Sequence, residues 1–217
     1  MRTNMFVSLA VAAALVTGAA CAVSPAAAAT KSSPAETALQ VAARQKRYVF
    51  LTFYKRNDPA STKMLADAKA LQAKHSDRAN SAIADVGNSV HQALVTRYGA
   101  DRSHVPLTLV IAPNGAVTAS FPSAINRTDL SDVFVSNGMA DVFKVLQDGR
   151  LAAICMQNSK TKLNKESLAG AEGLKYGAQF RDALEIVKVD PSDAAEAKLV
   201  QSCRISPSSP RIKSETV

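Results

Sequence analysis

The chain has 217 residues, of which 47% are hydrophobic, 20% charged and 5% aromatic. Nine Gly, nine Pro and three Cys exclude collagen-like and low-complexity chains, disulfide-stapled mini-proteins and four-cysteine zinc modules. The formal net charge of +8 could favour acidic partners or anionic surfaces, although a solvated face is the simpler interpretation. We expect no nucleic acid partner, because neither an aromatic-interleaved basic motif nor a helix-turn-helix pattern is present.

The first 29 residues are typical of a secretory signal peptide. Arg2 precedes an apolar run at 5–16 that is shorter than the roughly 20 residues needed to span a bilayer. Cleavage after the Ala-Ala-Ala motif at 27–29 would release the chain from the membrane. Alternatively, residues 17–21 resemble the lipobox of bacterial lipoproteins, with Cys21 as the acylated residue. We expect export to the periplasm or outer envelope, with membrane contact only through a lipid anchor at Cys21.

Residues 35–146 follow an alternating pattern of helices and strands. Apolar spacing predicts helices over 35–46, 62–75, 89–98 and 127–146, the last only mostly helical and broken or bent near Asn137-Gly138. Runs of apolar and β-branched residues predict strands over 48–54, 81–86, 107–112 and 116–121. Asp58 or Ser61 is a candidate N-cap for the second helix, and Asn114-Gly115 predicts a hairpin turn. This order predicts a mixed sheet with helices on both sides.

These segments, in this order, resemble the thioredoxin fold family. The matching pieces are YVFLTFY at 48–54, Ala84-Asp85 at a strand end, Tyr98-Gly99 at a helix end, Val105-Pro106-x-Thr108 before a strand, and the Asn114-Gly115 hairpin. The resemblance implies an α/β three-layer sandwich, with a central mixed sheet flanked by helices, in a domain at 30–149. It also implies that Pro106 corresponds to the cis-proline that lies beside the family's substrate site.

The sequence departs from that family where its enzymes carry their chemistry. Those enzymes place Cys-x-x-Cys at the start of the helix after the first long strand, where the helix N-terminus lowers the pKa of the attacking thiol. Here Asp58-Pro59-Ala60-Ser61 occupies those positions, and neither a carboxylate nor a hydroxyl forms a mixed disulfide. We therefore predict no catalytic residue of this type and no cofactor. The candidate binding surface consists of Asp58, Ser61, His104, Val105 and Pro106.

Residues 150–206 repeat the opening of the first domain. Strands are predicted over 151–157 and 184–190, and helices over 168–180 and 194–203, the second capped by Ser192-Asp193. We interpret this β-α-β-α order as a partial second thioredoxin-like repeat without the final hairpin and helix. Such a half-repeat would have to pack against the first domain, pair with another chain, or be the remnant of a truncated protein. Residues 207–217 are predicted to form a disordered tail.

Cys155 and Cys203 are candidates for a structural disulfide in an oxidising compartment. Two unreactive thiols and a displaced redox pair are the alternatives. His75, His91 and His104 fall in separate elements without a cluster of Cys or carboxylates, so no metal site is predicted.

Two functions follow from these observations. The first is an exported thioredoxin-like protein without thiol-redox activity, which acts as a protein-binding or assembly module of the bacterial cell envelope. Its partner would be another envelope protein or a peptide. The alternative is a thiol-disulfide oxidoreductase that uses Cys155 and Cys203 in an atypical arrangement. A fold that carries many functions does not decide between them.

Overall fold

The computed structural model describes residues 32–56, 58–126 and 130–203. The predicted signal peptide at 1–29, with Cys21, and the predicted tail at 207–217 lie outside the described residues. Within those described ranges, no helix is long and apolar enough to cross a membrane.

The chain alternates helices and strands throughout. Short 3₁₀ helices cover Ser89–His91, Ser131–Val133 and Ala194–Glu196. The longer elements in chain order are α1 (Pro34–Arg44), β1 (Tyr48–Tyr54), α2 (Pro59–Lys74), β2 (Ala79–Asp85), α3 (Gln92–Arg97), β3 (Leu107–Ile111), β4 (Val117–Pro122), α4 (Asn137–Gln147), β5 (Leu151–Met156), α5 (Asn164–Tyr176), β6 (Leu184–Val189) and α6 (Ala197–Ser202).

The first sheet has the strand order β2-β1-β3-β4. β1 lies parallel to β2 and antiparallel to β3, and β3 and β4 form an antiparallel hairpin. β1 is therefore a central strand, and all of its residues except the last are buried. Its β-branched and aromatic residues suit this position because both faces of the strand pack against other elements.

Helices cover both faces of the first sheet. Val49, Leu51 and Phe53 of β1 pack with buried residues of α1 and α3. Tyr48 and Phe50 point to the opposite face and pack with Leu71 of α2, the segment around 130–134 and α4. The predicted three-layer sandwich, a mixed sheet flanked by helices, is confirmed.

A second, two-stranded sheet consists of β5 and β6 in parallel. α4 lies between the two sheets. Ala140 belongs to the cluster on the first sheet, whereas Val142 and Val145 pack with Val187 and Val189 of β6 and with α6. α5 packs against both strands of the second sheet. The amphipathic helix α4 therefore packs against both sheets.

The prediction of a mostly helical segment over 127–146, broken or bent near Asn137-Gly138, is wrong for the described residues before Asn137. A 3₁₀ helix at Ser131–Val133 is followed by extended backbone, and α4 begins at Asn137. Ser136 caps it, since its hydroxyl accepts a hydrogen bond from the Met139 N–H at 3.2 Å. The Asn-Gly pair marks the beginning of a helix and not a bend. Residues 127–129 lie outside the described residues.

Boundaries in the second half of the chain also differ from the sequence prediction. α5 begins four residues earlier than predicted, at Asn164, after Leu163 in a left-handed conformation (φ 60°). The predicted helix at 194–203 is divided into a 3₁₀ turn and the six-residue α6, with Asp193 as the N-cap. Neither difference changes the order of the elements.

Candidate functional site

The candidate surface lies at one end of the first sheet. Tyr54 pairs with Asp85 in the parallel β1–β2 ladder, and Phe53 pairs with Leu107 in the antiparallel β1–β3 ladder. The ends of β1 and β2 and the start of β3 therefore meet at the same edge. The 55–61 turn follows β1 and the 104–107 loop leads into β3, so the topology brings these two segments to one end of the sheet.

Asp58 holds the start of α2. Its carboxylate accepts a hydrogen bond from the Ser61 N–H at 2.7 Å, and Pro59 occupies the first turn of the helix. The pKa of Asp58 is lowered, chiefly by hydrogen bonding with the Ser61 side chain and with the Ser61 N–H. The nearby positive charge of Lys55 lowers it further. The helix N-terminus therefore faces a fixed negative charge at the place where a redox enzyme of this fold carries a thiolate.

Ser61 has a structural role. Its side chain is only 1% exposed, and its hydroxyl oxygen accepts a hydrogen bond from the Lys55 N–H at 3.2 Å. This bond joins the first turn of α2 to the residue that follows β1. Of the two predicted residues in this turn, Asp58 is accessible and Ser61 is covered.

Sequence reasoning did not predict the ion pair beside this turn. Asp85 ends β2, is buried, and accepts a hydrogen bond from the Gly87 N–H at 3.0 Å. The Arg56 guanidinium lies 3.3 Å from its other oxygen and is largely exposed. The parallel pairing of β1 with β2 could have indicated this ion pair, because it brings a basic residue shortly after β1 close to the carboxylate that ends β2.

The 104–107 loop combines an anchored backbone with an exposed side chain. The Val105–Pro106 peptide bond is cis, as the resemblance implied. Val105 packs against the cluster on one face of the sheet, and the Pro106 carbonyl accepts a hydrogen bond from the Ser123 N–H at 2.9 Å. His104 is exposed. Within β3, the Thr108 hydroxyl lies 2.9 Å from that of Thr52 and satisfies it in the core.

Cys155 and Cys203, the candidates for a disulfide, are both free thiols in the structure. Cys203 packs against the cluster that contains Ala152 and Ile154 of β5. Cys155 is adjacent to Ile154 in the same strand, and successive side chains of a strand point to opposite faces. The two thiols therefore lie on opposite faces of the second sheet, with the sheet itself between them.

Two cavities lie at the other end of the first sheet. One of about 390 Å³ is lined by residues that include Tyr98, Gly115 and Lys144, and one of about 240 Å³ shares Tyr98 and Gly115. Gly115 is in the β3–β4 turn, and the end of β3 pairs with the start of β1. Among the described residues there is no cluster of three or more His, Cys, Asp or Glu that could hold a metal ion.

No family model and no curated protein matches the chain. Among solved structures, it is similar to the germline-specific thioredoxin protein Deadhead of Drosophila melanogaster (22% identity, 42% of this chain, 82% of that chain, TM-score 0.35). It is also similar to a disulphide isomerase from Xylella fastidiosa (22% identity, 51% of this chain, 86% of that chain, TM-score 0.33). A further similar structure is a domain of the alkylhydroperoxide reductase of Enterococcus faecalis (14% identity, 77% of this chain, 83% of that chain, TM-score 0.30).

The fold itself follows from the geometry of the chain. The strand order β2-β1-β3-β4, the single parallel pair, the antiparallel hairpin and the cis bond before β3 together form the arrangement that the sequence resemblance implied. Residues 32–126 and 130–147, with residue 57 outside the described set, adopt a thioredoxin-like fold.

Proposed function

We propose that this protein is an exported thioredoxin-like module that binds extended polypeptide in the bacterial cell envelope and has no thiol-redox activity. The observation that carries the proposal is the start of α2. Asp58 caps this helix and the buried Ser61 ties it to β1, in the positions that hold thiols in redox enzymes of this fold. A carboxylate and a hydroxyl leave the helix start intact and remove the mixed-disulfide step.

The character of the surface favours a polypeptide with acidic residues. Lys55 and Arg56 are exposed in the 55–61 turn, where Arg56 also pairs with Asp85, and His104 is exposed on the neighbouring loop. Asp58 is the acidic group of this turn, and its charge is already engaged by the helix N-terminus. Charge complementarity of this kind accelerates and orients association more than it adds affinity.

Binding can be measured with a reduced and alkylated acidic polypeptide as the probe. We expect protection from hydrogen exchange at 55–61 and 104–107 when the probe is added. Lys55→Glu should weaken binding about three- to tenfold, because it reverses a charge at the rim of the surface. Lys74→Glu at the far end of α2 makes the same change elsewhere and is the matched control. Equal weakening by both variants would show that only the net charge matters and would contradict the proposal.

The absence of redox activity has a separate test. Insulin reduction in the presence of dithiothreitol should proceed no faster with the protein than without it. Activity that is lost in Cys155→Ser would support the oxidoreductase alternative. The opposite placement of Cys155 and Cys203 argues against that alternative, because an attacking and a resolving thiol must meet in one exchange step.

Export can be tested by the intact mass of the protein isolated from its native envelope. A mass that begins at Cys21 with acyl chains would identify a lipid-anchored protein. A mass that begins near Thr30 would identify a released one. A full-length mass that includes Met1 would contradict export in either form.

A further inference from the structure

The second sheet has an open edge along β5. The Leu151 N–H donates to the Ala183 carbonyl at 2.6 Å, and the Gln157 N–H donates to the Val189 carbonyl at 2.9 Å. Backbone groups of a strand alternate between its two edges, so the odd-numbered residues of β5 face β6. Ala152, Ile154 and Met156 therefore direct their N–H and C=O groups to the other edge. No described strand pairs with that edge.

In the first sheet the corresponding edge is occupied. β1 and β5 each open a parallel β-α-β unit, but β1 also pairs along its other edge with β3, from Val49↔Ile111 to Phe53↔Leu107. The consequence appears in the burial of the two strands. Six of the seven residues of β1 are buried, whereas Cys155 is the only buried residue of β5 and Leu151 is 50% exposed. β5 has the position of a central strand without its second neighbour.

Within β5, the open edge lacks two of the features that usually protect an edge strand. Charged side chains, proline and covering groups prevent edge-to-edge pairing in natural sheets. β5 reads LAAICM and contains no charge and no proline. By contrast, the exposed Lys188 lies in β6, and both backbone groups of Val117 in β4 are bonded by the Gln147 amide, at 2.8 and 2.7 Å.

We propose that β5 pairs in antiparallel fashion with β5 of a second copy of this chain, to give a continuous sheet in the order β6-β5-β5-β6. The three residues that face the open edge are centred on Ile154. A two-fold axis at Ile154 pairs that residue with its own copy and Ala152 with Met156. All three then form hydrogen-bonded pairs, because each directs both backbone groups to that edge.

The side chains agree with this self-pairing. In the register centred on Ile154, Arg150 lies opposite Asn158, so no like charges meet across the axis. Leu151 near one end of the open strand and Leu163 beyond its other end are 50% and 65% exposed. The two-fold axis brings the Leu151 end of one copy to the Leu163 end of the other. A closed two-fold pair also leaves no further edge of this kind, and so ends the assembly at two chains.

The test begins with the mass of the mature chain in solution. Sedimentation velocity at about 10–100 µM should give two chains per particle that separate on dilution, as expected for micromolar affinity. Hydrogen exchange followed over the same dilution should show that the amides of Ala152, Ile154 and Met156 are protected only in the dimer. The amides that bond to β6 should be protected in both states.

Two matched proline substitutions locate the interface. Ala152→Pro removes an N–H at the open edge of β5, which costs no hydrogen bond within the monomer, and should weaken dimerisation at least about tenfold. Lys188→Pro removes an N–H at the outer edge of β6 and should leave dimerisation unchanged. Circular dichroism checks that both variants fold.

A cross-link keeps the proposal testable if Ala152→Pro does not fold. Hydrogen-bonded antiparallel partners lie with their Cα atoms about 5.5 Å apart, within the range of a disulfide. In a chain whose native cysteines are replaced by serine, Ile154→Cys should form a covalent dimer on oxidation, and Lys188→Cys should not.

Three results would overturn the proposal. The first is a single chain at every concentration. The second is protection of the three edge amides in a monomer, which would mean that another segment of the same chain covers the edge. The third is a dimer that survives Ala152→Pro and does not cross-link through Ile154→Cys, which would assign the interface to another surface.

Discussion

The two sheets of this chain begin alike and end differently. In each, a strand, a helix and a parallel strand are followed by a capped 3₁₀ turn and a six-residue helix, with Asn88 as the cap in the first and Asp193 in the second. The first sheet continues into an antiparallel hairpin, and the described part of the second does not. The burial of a strand is therefore decided by its neighbours: β1 is enclosed, and β5, although uncharged, remains half-exposed.

The two sheets are joined by more than apolar contact. Glu196 precedes α6 and is only 6% exposed, yet its carboxylate lies at the start of α4. It accepts hydrogen bonds from the Gly138 N–H at 2.8 Å and from the Ser136 hydroxyl at 2.6 Å. A carboxylate at a helix N-terminus satisfies free N–H groups and is favoured by the helix dipole. The residue before α6 thus supplies part of the N-terminal cap of α4.

The largest expected effect contrasts the two equivalent strands. Leu51→Ala in β1 should lower the free energy of unfolding by about 2–5 kcal/mol, since the side chain is fully buried and leaves a cavity. Ile154→Ala in β5 removes a half-buried side chain beside an open edge and should cost less than half as much. Urea unfolding of both variants tests the contrast. Equal losses would mean that β5 is as enclosed as β1.

A smaller loss is expected at the joint between the sheets. Glu196→Gln keeps the shape of the side chain and removes the charge at the start of α4, and should cost about 1.5–3 kcal/mol. Asp193→Asn is a matched control, because Asp193 is exposed and asparagine caps a helix as well as aspartate does. The measurement is urea unfolding combined with hydrogen exchange in α4. A variant in which α4 exchanges as in the wild type would contradict the role given to Glu196.

The same joint explains why a glycine follows Asn137. A Cβ at position 138 would lie 2.7 Å from a Glu196 carboxylate oxygen and 3.0 Å from a Val189 methyl. Gly138→Ala should therefore destabilise the protein by about 1–3 kcal/mol through this crowding. At Gly170 in α5, an added Cβ would meet no atom within 4 Å outside its own stretch of helix backbone. Gly170→Ala should therefore stabilise the protein by about 0.5–1 kcal/mol. Thermal unfolding of the two variants should shift in opposite directions, and a common direction would contradict the steric argument.

Local sequence signals were sufficient for the first sheet. The unbroken β-branched and aromatic run predicted β1 at 48–54, and the structure has the same bounds. The sequence offered Asp58 or Ser61 as the cap of a helix over 62–75, and in the structure Asp58 caps α2, which begins at Pro59. Both the cap and the fixed φ of proline act within one turn. The resemblance to the thioredoxin fold family implied that the 55–61 turn and the 104–107 loop share one edge, and the strand pairing places both segments there.

The errors arose where distant residues decide the structure. Asn137-Gly138 looked like a break inside a helix, because the carboxylate that makes this a helix start belongs to Glu196, far along the chain. The Arg56–Asp85 pair depends on the register between β1 and β2. The separation of Cys155 and Cys203 depends on which face of β5 each thiol meets. No local pattern in the sequence predicts any of these three contacts or separations.

The smallest expected effect is a pH dependence of the second sheet. Glu185 in β6 lies 2.7 Å from the Lys175 ammonium of α5 and also bonds to Arg150. Hydrogen bonding from Lys175 is the main cause that lowers the pKa of Glu185 below its ordinary value of 4.5, and the Arg150 charge adds to it. The ionised form therefore stabilises the fold above pH 4.5, and this contribution is lost as the pH falls through the lowered pKa.

Glu185→Gln should remove that dependence. The free energy of unfolding of the variant should fall less steeply than that of the wild type as the pH is lowered below 4.5, and the difference should shrink in high salt. Lys175→Gln should reduce the slope as well, and the double variant should add nothing to Glu185→Gln, because the two residues act as a pair. Since Asp58 at the start of α2 also has a lowered pKa, a dependence of the same sign is expected beside the first sheet, and hydrogen exchange resolved by element is needed to assign the effect. An acid-induced loss of protection in α2 and not in β6 would place the pH-sensitive contact beside the first sheet and reverse the comparison.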